Sequence, residues 1–97
     1  MYSETKVAVK KAFEIGKIIF SLGGERYSEL LKAVSSVHPP TREELSRYLI
    51  DGVPFEDALI IEIKKRYKRA AIKAGFTERQ GVAMLEYAAL LKELQNE

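Results

Sequence analysis

Glycine and proline divide the chain into five segments. The breaks fall at Gly23-Gly24, at Pro39-Pro40, at Gly52 with Pro54, and at Gly75. Within the segments, apolar residues recur every three or four positions, which is the period of an amphipathic α-helix and not the alternation of a strand. At 97 residues, the chain has the size of one domain. We therefore predict an all-α fold, a compact bundle of about five helices in one domain, residues 1–97.

The predicted helices cover residues 3–22, 25–36, 42–51, 54–74 and 78–95. Two of them follow a capping box, in which a Thr and a Glu or Gln three residues later bond to each other's backbone N–H groups. These boxes are Thr41 with Glu44, and Thr77 with Gln80. Gly16 lies on the apolar face of the first helix, so we expect another helix to approach closely there.

The apolar face of each predicted helix supplies the expected core, at about 100° of rotation per residue. Phe76 directly follows the turn glycine Gly75, and we expect it to be a buried plug between the fourth and fifth helices. The other expected core residues are Ala8, Val9, Ala12, Ile15, Gly16, Ile19, Leu22, Tyr27, Leu30, Leu31, Val34, Leu45, Tyr48, Leu49, Leu59, Ile60, Ile63, Tyr67, Ala70, Ala71, Ala74, Met84, Tyr87, Leu91 and Leu94.

The residue inventory argues against an enzyme. The chain has no cysteine and a single histidine, which excludes disulfides, thiolate chemistry and cysteine-type metal sites. His38 lies in a proline-rich loop, and the adjacent carboxylates Glu43-Glu44 and Glu56-Asp57 point about 100° apart on a helix, so neither pair is preset as a catalytic dyad. We predict no catalytic residues, no metal, no cofactor and no small-molecule substrate.

The chain also lacks the hydrophobic segments that membrane association requires. No apolar run approaches the roughly 18–20 residues of a membrane span. The first residues lack the charged and apolar regions of a signal peptide. We therefore expect a cytoplasmic protein with no membrane partner. Few amide side chains and many Lys, Glu and Ile residues are weakly typical of a thermophile.

The charge is unevenly distributed along the chain. Residues 64–79 carry seven basic and one acidic side chain, although the whole chain has a net charge of only +2. Helical spacing puts six of these cations on the outer face of the fourth helix. Such a face indicates contact with nucleic-acid phosphates, and an acidic protein partner or an ordinary solvated face are the alternatives. The predicted nucleic-acid-binding residues are Lys64, Lys65, Arg66, Lys68, Arg69, Lys73 and Arg79.

The segment AAIKAGFTERQG, residues 70–81, resembles a helix-turn-helix. It is similar to the segment that opens many phage terminase small subunits, where small residues, an Ala-Gly, an aromatic, a Ser or Thr and a basic residue recur in this order. The resemblance covers 12 of the 97 residues, and here the segment lies near the other end of the chain. It implies a corner shape with possible backbone contacts.

Sequence-specific reading by the fifth helix is not expected. Among its outward positions, only one residue is an arginine, which can donate two hydrogen bonds to guanine. Two others are carboxylates, which would face the phosphates. Those outward positions are Glu78, Arg79, Val82, Ala83 and Glu86.

The fifth helix carries a second apolar row in addition to its core-facing one. This row consists of Val82, Leu85 and Ala89. A helix that is apolar on two sides needs two partners. Ile61 and Ile72 similarly lie opposite the main core face of the fourth helix, among its lysines. We therefore expect self-association or a protein partner, with the row as its interface.

Two functions are compatible with these features. The first is a non-catalytic, nucleic-acid-associated accessory protein that contacts the phosphate backbone through a basic helix with low sequence specificity. The second is a protein–protein adaptor, or a small subunit of a larger assembly, whose basic face binds an acidic partner. The choice between DNA and RNA stays open at this stage.

Overall fold

A computed structural model describes residues 2–95, and it describes their side chains except for those of residues 2–9 and 94. Within this range the chain forms five helices and no strand, which confirms the all-α prediction. The helices are α1 (Tyr2–Phe20), α2 (Gly23–Ser35), α3 (Ser46–Ile50), α4 (Phe55–Lys73) and α5 (Glu78–Gln95).

The third helix is shorter than the sequence predicts. The predicted helix covered residues 42–51, whereas α3 begins only at Ser46. The preceding residues form tight turns, with the backbone N–H of Leu45 donating to the carbonyl of Arg42 and that of Ser46 to the carbonyl of Glu43, both at 3.2 Å. These i to i+3 bonds are the 3₁₀ geometry that often opens a helix.

The five helices form two layers, with α5 at the centre. α5 packs most extensively against α4, and it also contacts α1 and α2. α2 crosses α1, α4 and α5, whereas α3 contacts α4 alone. The molecule is flat, 40 × 39 × 21 Å, and its thickness equals about two helices of 10–12 Å diameter each.

The core lies where α2 crosses α4 and α5. Its buried residues are Leu30, Val34, Ala71, Phe76 and Met84. Phe76 is only 6% exposed, so the expectation of a buried plug after the turn is confirmed. Gly75 makes that turn possible with a φ of 90°, a left-handed conformation that glycine adopts without steric cost.

The close approach of two helices occurs at Gly81 and not at Gly16. A Cβ atom on Gly81 would lie 2.7 Å from the carbonyl oxygen of Tyr67 and 2.8 Å from the Cβ of Ala71. The backbones of α4 and α5 therefore touch at this point, and only glycine fits. A Cβ atom on Gly16 would meet no atom of the described residues within 4 Å, so the prediction of a close approach there is wrong.

Fewer residues are buried in the core than the apolar faces of the predicted helices indicate. Leu31, Ile60 and Leu91 are 44%, 51% and 42% exposed, and Ala12 and Ala74 are also exposed. The α4 residues that share the core with Leu30 and Val34 of α2 are Tyr67, Ala70 and Ala71. They lie in the C-terminal part of α4, so Ile60 lies away from this contact. Leu31 is about 100° round α2 from the buried Leu30. Ala8, Val9 and Leu94 were also predicted for the core, but they lie outside the described side chains.

Candidate nucleic-acid interface

Most of the basic block forms a continuous surface on the outer side of α4. Lys64, Lys65, Arg69 and Lys73 are exposed, and Lys68 is partly exposed. The spacing of four residues stacks Lys65, Arg69 and Lys73 as one ridge and Lys64 with Lys68 as a second. We call these five side chains the cationic face.

No carboxylate within the described part of the chain lies within salt-bridge distance of the cationic face. Of the three acidic residues of α4, Glu56 and Asp57 lie in its first turn, where they complement the positive end of the helix dipole. The third, Glu62, faces Arg66 and the Tyr48 hydroxyl. The dipole also favours Lys73 in the last turn, but its effect fades before Lys64 and Lys65. The helix dipole therefore does not account for the positive charges of Lys64 and Lys65.

Arg66 does not belong to the cationic face, although it lies in the middle of the basic block. Its side chain turns toward the segment before α3, where one guanidinium nitrogen donates to the carbonyl of His38 at 3.0 Å. Another nitrogen pairs with Glu44, and Nε lies 3.5 Å from Oε1 of Glu62. The positive charge of Arg66 is thus paired with two carboxylates of the same chain.

The capping box before α3 holds the carboxylate that binds Arg66. The backbone N–H of Thr41 donates to Oε1 of Glu44 at 3.0 Å, and the N–H of Glu44 donates to Oγ1 of Thr41 at 3.2 Å. The bond from the Thr41 backbone, followed by the bond from Arg66, lowers the pKa of Glu44 below its usual value. The same pairing with Glu44 raises the pKa of Arg66.

A tyrosine connects this arrangement to the cationic face. The hydroxyl of Tyr48 donates to Oε2 of Glu62 at 3.0 Å and accepts a hydrogen bond from Nζ of Lys65 at 2.8 Å. Within the polar network, only the capping box of Thr41 and Glu44 and the i, i+4 spacing of Glu62 and Arg66 are local in the sequence. The other bonds join residues 14 to 28 positions apart. The residues of this polar network are Thr41, Glu44, Tyr48, Glu62, Lys65 and Arg66.

Arg79 lies apart from the cationic face. It lines a groove of about 520 Å³ between α1 and the start of α5, together with Glu14, Lys17 and Gln80. No α4 residue lines that groove. Within the described residues, no Cα atom of α1 comes within 8 Å of a Cα atom of α4. Arg79 therefore does not extend the surface that the α4 cations form.

α1 covers much of the α5 face that would have to enter a DNA groove. Ala83, predicted to face outward, is only 3% exposed. Ile15 and Ile18 of α1 line one groove with Arg79, Val82, Ala83 and Glu86. The expectation that α5 does not read base sequence stays a prediction. The helix-turn-helix interpretation of residues 70–81 stays a prediction.

The second apolar row of α5 lies on a different side of the helix from Met84 and borders α1, because Val82 and Ala89 each line a groove with Ile15. Val82, Leu85 and Ala89 lie about 100–160° round the helix from the buried Met84. Val82 and Leu85 are partly exposed, and Ala89 is exposed. Ile61 and Ile72 on α4 are 39% and 52% exposed, as expected. The interface assigned to the row stays a prediction.

Other kinds of site find no support in the described part of the chain. It contains no group of three or more His, Asp or Glu side chains placed to hold a metal ion. His38 is exposed and contributes only its carbonyl group, to Arg66. Of the helices described, none combines the length and hydropathy that crossing a membrane requires.

The described residues form a small all-α protein with an extended basic surface on α4, and no described carboxylate forms a salt bridge to that surface. The chain matches no family model, no curated protein and no solved structure. The interpretation of that surface therefore depends on its geometry and charge.

Proposed function

We propose that the protein is a non-catalytic, nucleic-acid-associated accessory protein of the cytoplasm. Its cationic face contacts the phosphate backbone with little sequence preference. The observation that carries this proposal is that no described carboxylate lies within the 4.0 Å of a salt bridge from Lys64, Lys65, Lys68, Arg69 or Lys73. Five like charges on one helix side repel one another, and a polyanion relieves that repulsion.

The binding should be strongly dependent on salt, because each phosphate contact releases condensed counterions. For five contacts with duplex DNA, log K should fall against log salt with a slope of about −4.5. Arg66 is held by Glu44 and Glu62, so we leave it out of this count. Arg79 is also left out because it lines the groove beside α1.

Low sequence preference follows from the residue types. Four of the five cations are lysines. A lysine is a point charge and lacks the planar guanidinium group with which arginine donates two hydrogen bonds to guanine. Non-specific binding of this kind has a dissociation constant on the order of 10⁻⁴–10⁻⁶ M at physiological salt.

A protein–protein adaptor is the second candidate, and the two exposed isoleucines favour it. Ile61 and Ile72 flank the cationic face and are 39% and 52% exposed. They add nothing to phosphate contact, but they would add apolar area to an interface with an acidic protein. The outward row of α5 would serve self-association or a helical partner in either case.

The deciding experiment is a binding titration with a labelled random-sequence duplex at about 50 mM and about 200 mM salt. The variant Lys65→Ala, Arg69→Ala, Lys73→Ala should flatten the salt slope by about 2.7, for three lost contacts. A matched control removes three exposed cations from α1, with Lys10→Ala, Lys11→Ala and Lys17→Ala, and should leave the slope nearly unchanged. No binding at the lower salt would refute the nucleic-acid proposal, and capture of an acidic protein that the α4 variant loses would support the adaptor.

A further inference from the structure

The cationic face carries no aromatic ring. Tyr67 is the one tyrosine of α4, and it packs against the core. Phe55 lies at the first position of α4, before the basic block, with the guanidinium carbon of Arg42 at 5.5 Å from its ring centre. The other aromatic side chains that the structure describes belong to other elements: Phe13, Phe20, Tyr27, Tyr48, Phe76 and Tyr87.

The nearest aromatic ring beside the face is already occupied. Nζ of Lys65 lies 5.3 Å from the ring centre of Tyr48 and donates to its hydroxyl. The same hydroxyl donates to Glu62. A base that stacked on the side of the ring beside Lys65 would have to displace a lysine of the cationic face itself.

Single-stranded nucleic acid would gain little from such a surface. Proteins that bind single strands combine a basic groove with aromatic rings, and each stacked base contributes about 1–3 kcal/mol. Here the surface is the convex side of one helix. The apolar side chains that flank its cations are Ile61 and Ile72, which have no ring on which a base could stack.

A duplex suits the same surface better. From Lys64 to Lys73 the helix advances about 13.5 Å, at 1.5 Å per residue. Over that length duplex DNA presents about eight phosphate charges and one of its strands about four. A duplex is also already ordered, whereas a flexible strand loses conformational freedom when it aligns with fixed cations.

We infer that the ligand of the cationic face is double-stranded rather than single-stranded nucleic acid. The inference rests on the proposed function of that face and adds the class of nucleic acid that it binds. The duplex presents more phosphate charges over the length of the cationic face than a single strand does. A single strand usually offsets this difference by stacking its bases on aromatic rings, which the cationic face lacks.

The test compares a duplex of roughly 20 bp, about two helical turns, with each of its separate strands at about 50 mM salt. We expect the duplex to bind at least about tenfold more tightly, and Lys65→Ala, Arg69→Ala, Lys73→Ala to weaken that binding. Equal or tighter binding of the separate strands through these cations would overturn the inference and leave the proposed function intact. Binding of neither form would overturn both.

A gain-of-function variant tests the reasoning independently. Ile72→Tyr places a ring on an exposed position, 52% exposed, among the cations. It should raise the affinity for a single strand about fivefold, the equivalent of one weakly stacked base, and leave duplex affinity nearly unchanged. Ile50→Tyr, at an 84% exposed position outside α4, is the matched control and should change neither affinity. An unchanged single-strand affinity in Ile72→Tyr would contradict the role assigned to the missing rings.

Discussion

Alanine substitution at two glycines should change stability in opposite directions. Both Gly16 and Gly81 lie inside helices, where replacing glycine by alanine ordinarily stabilises by roughly 0.5–1 kcal/mol. At Gly16 nothing lies within 4 Å of the added Cβ, so that gain should appear in full. At Gly81 the added atom would lie 2.7 Å from a backbone oxygen and 2.8 Å from the Cβ of Ala71.

The contact at Gly81 cannot be relieved by a side-chain rotation, because a main-chain carbonyl forms half of it. α4 and α5 must instead move apart, and overpacking of this kind costs about 1–3 kcal/mol. After the helix-propensity gain is subtracted from the middle of that range, Gly81→Ala should lose about 1 kcal/mol net. In a domain of this size, 1 kcal/mol corresponds to a shift of about 4–8 °C in Tm.

The assay is thermal and urea unfolding followed by helical circular dichroism, with both variants measured beside the wild type. Gly81→Ala should melt lower and Gly16→Ala higher than the wild type. If Gly81→Ala stabilised the protein as much as Gly16→Ala does, the two backbones would not touch at Gly81. The packing of α4 against α5 would then be wrong.

Three further predictions concern other parts of the fold. Phe76→Ala should lose roughly 3–5 kcal/mol of stability, and a loss below about 1 kcal/mol in thermal melting would contradict its burial. The folded-state pKa of Glu44 is lowered from 4.5, so its contribution to stability is present above that pH and is lost as the pH falls below it. Glu44→Gln should therefore melt lower than the wild type at pH 7, with the difference shrinking in acid, and a difference independent of pH would refute this. Leu85→Glu should reduce the mass of the particle in solution, or abolish capture of a protein partner, without unfolding the chain, and a monomeric wild type that captures no helical partner would reject the interface.

Features set by neighbours along the chain could be predicted from the sequence. Both capping boxes form, since the backbone N–H of Thr77 donates to Gln80 at 2.9 Å much as that of Thr41 donates to Glu44. Each box needs only residues three positions apart, and the turn geometry follows from local chemistry. The place of Phe76 at the corner also follows locally, because it comes directly after the glycine that reverses the chain, although the core that buries it includes Leu30 and Val34 of α2.

Features set by distant contacts could not be predicted in the same way. The apolar faces show that a helix has an inner side, but not how much of it a neighbouring helix covers, so Ile60 and Leu91 were wrongly predicted to be buried. Gly16 and Gly81 look alike in sequence, and only the crossing of α4 over α5 distinguishes them. The sequence could not distinguish Arg66 from the other cations of the basic block, because its main partner, Glu44, lies 22 positions away.

The difference between Arg66 and Arg69 shows how the structure divides a single run of cations. Arg66 donates to the His38 carbonyl and pairs with Glu44, whereas Arg69 is exposed and has no described carboxylate partner. Arg66→Gln should therefore lower Tm by loosening the segment before α3, but leave the salt slope of binding near that of the wild type. Arg69→Gln should leave Tm nearly unchanged and flatten the slope by about 0.9, the value of one phosphate contact.

Both arginine variants remove the same charge from the same helix, so the net charge of the protein cannot explain a difference between them. Unfolding would be measured by circular dichroism, and binding by titration of a labelled duplex at several salt concentrations. If Arg66→Gln flattened the slope as much as Arg69→Gln does, Arg66 would reach the ligand in spite of its carboxylate partners. The cationic face would then have to include the polar network that anchors α3.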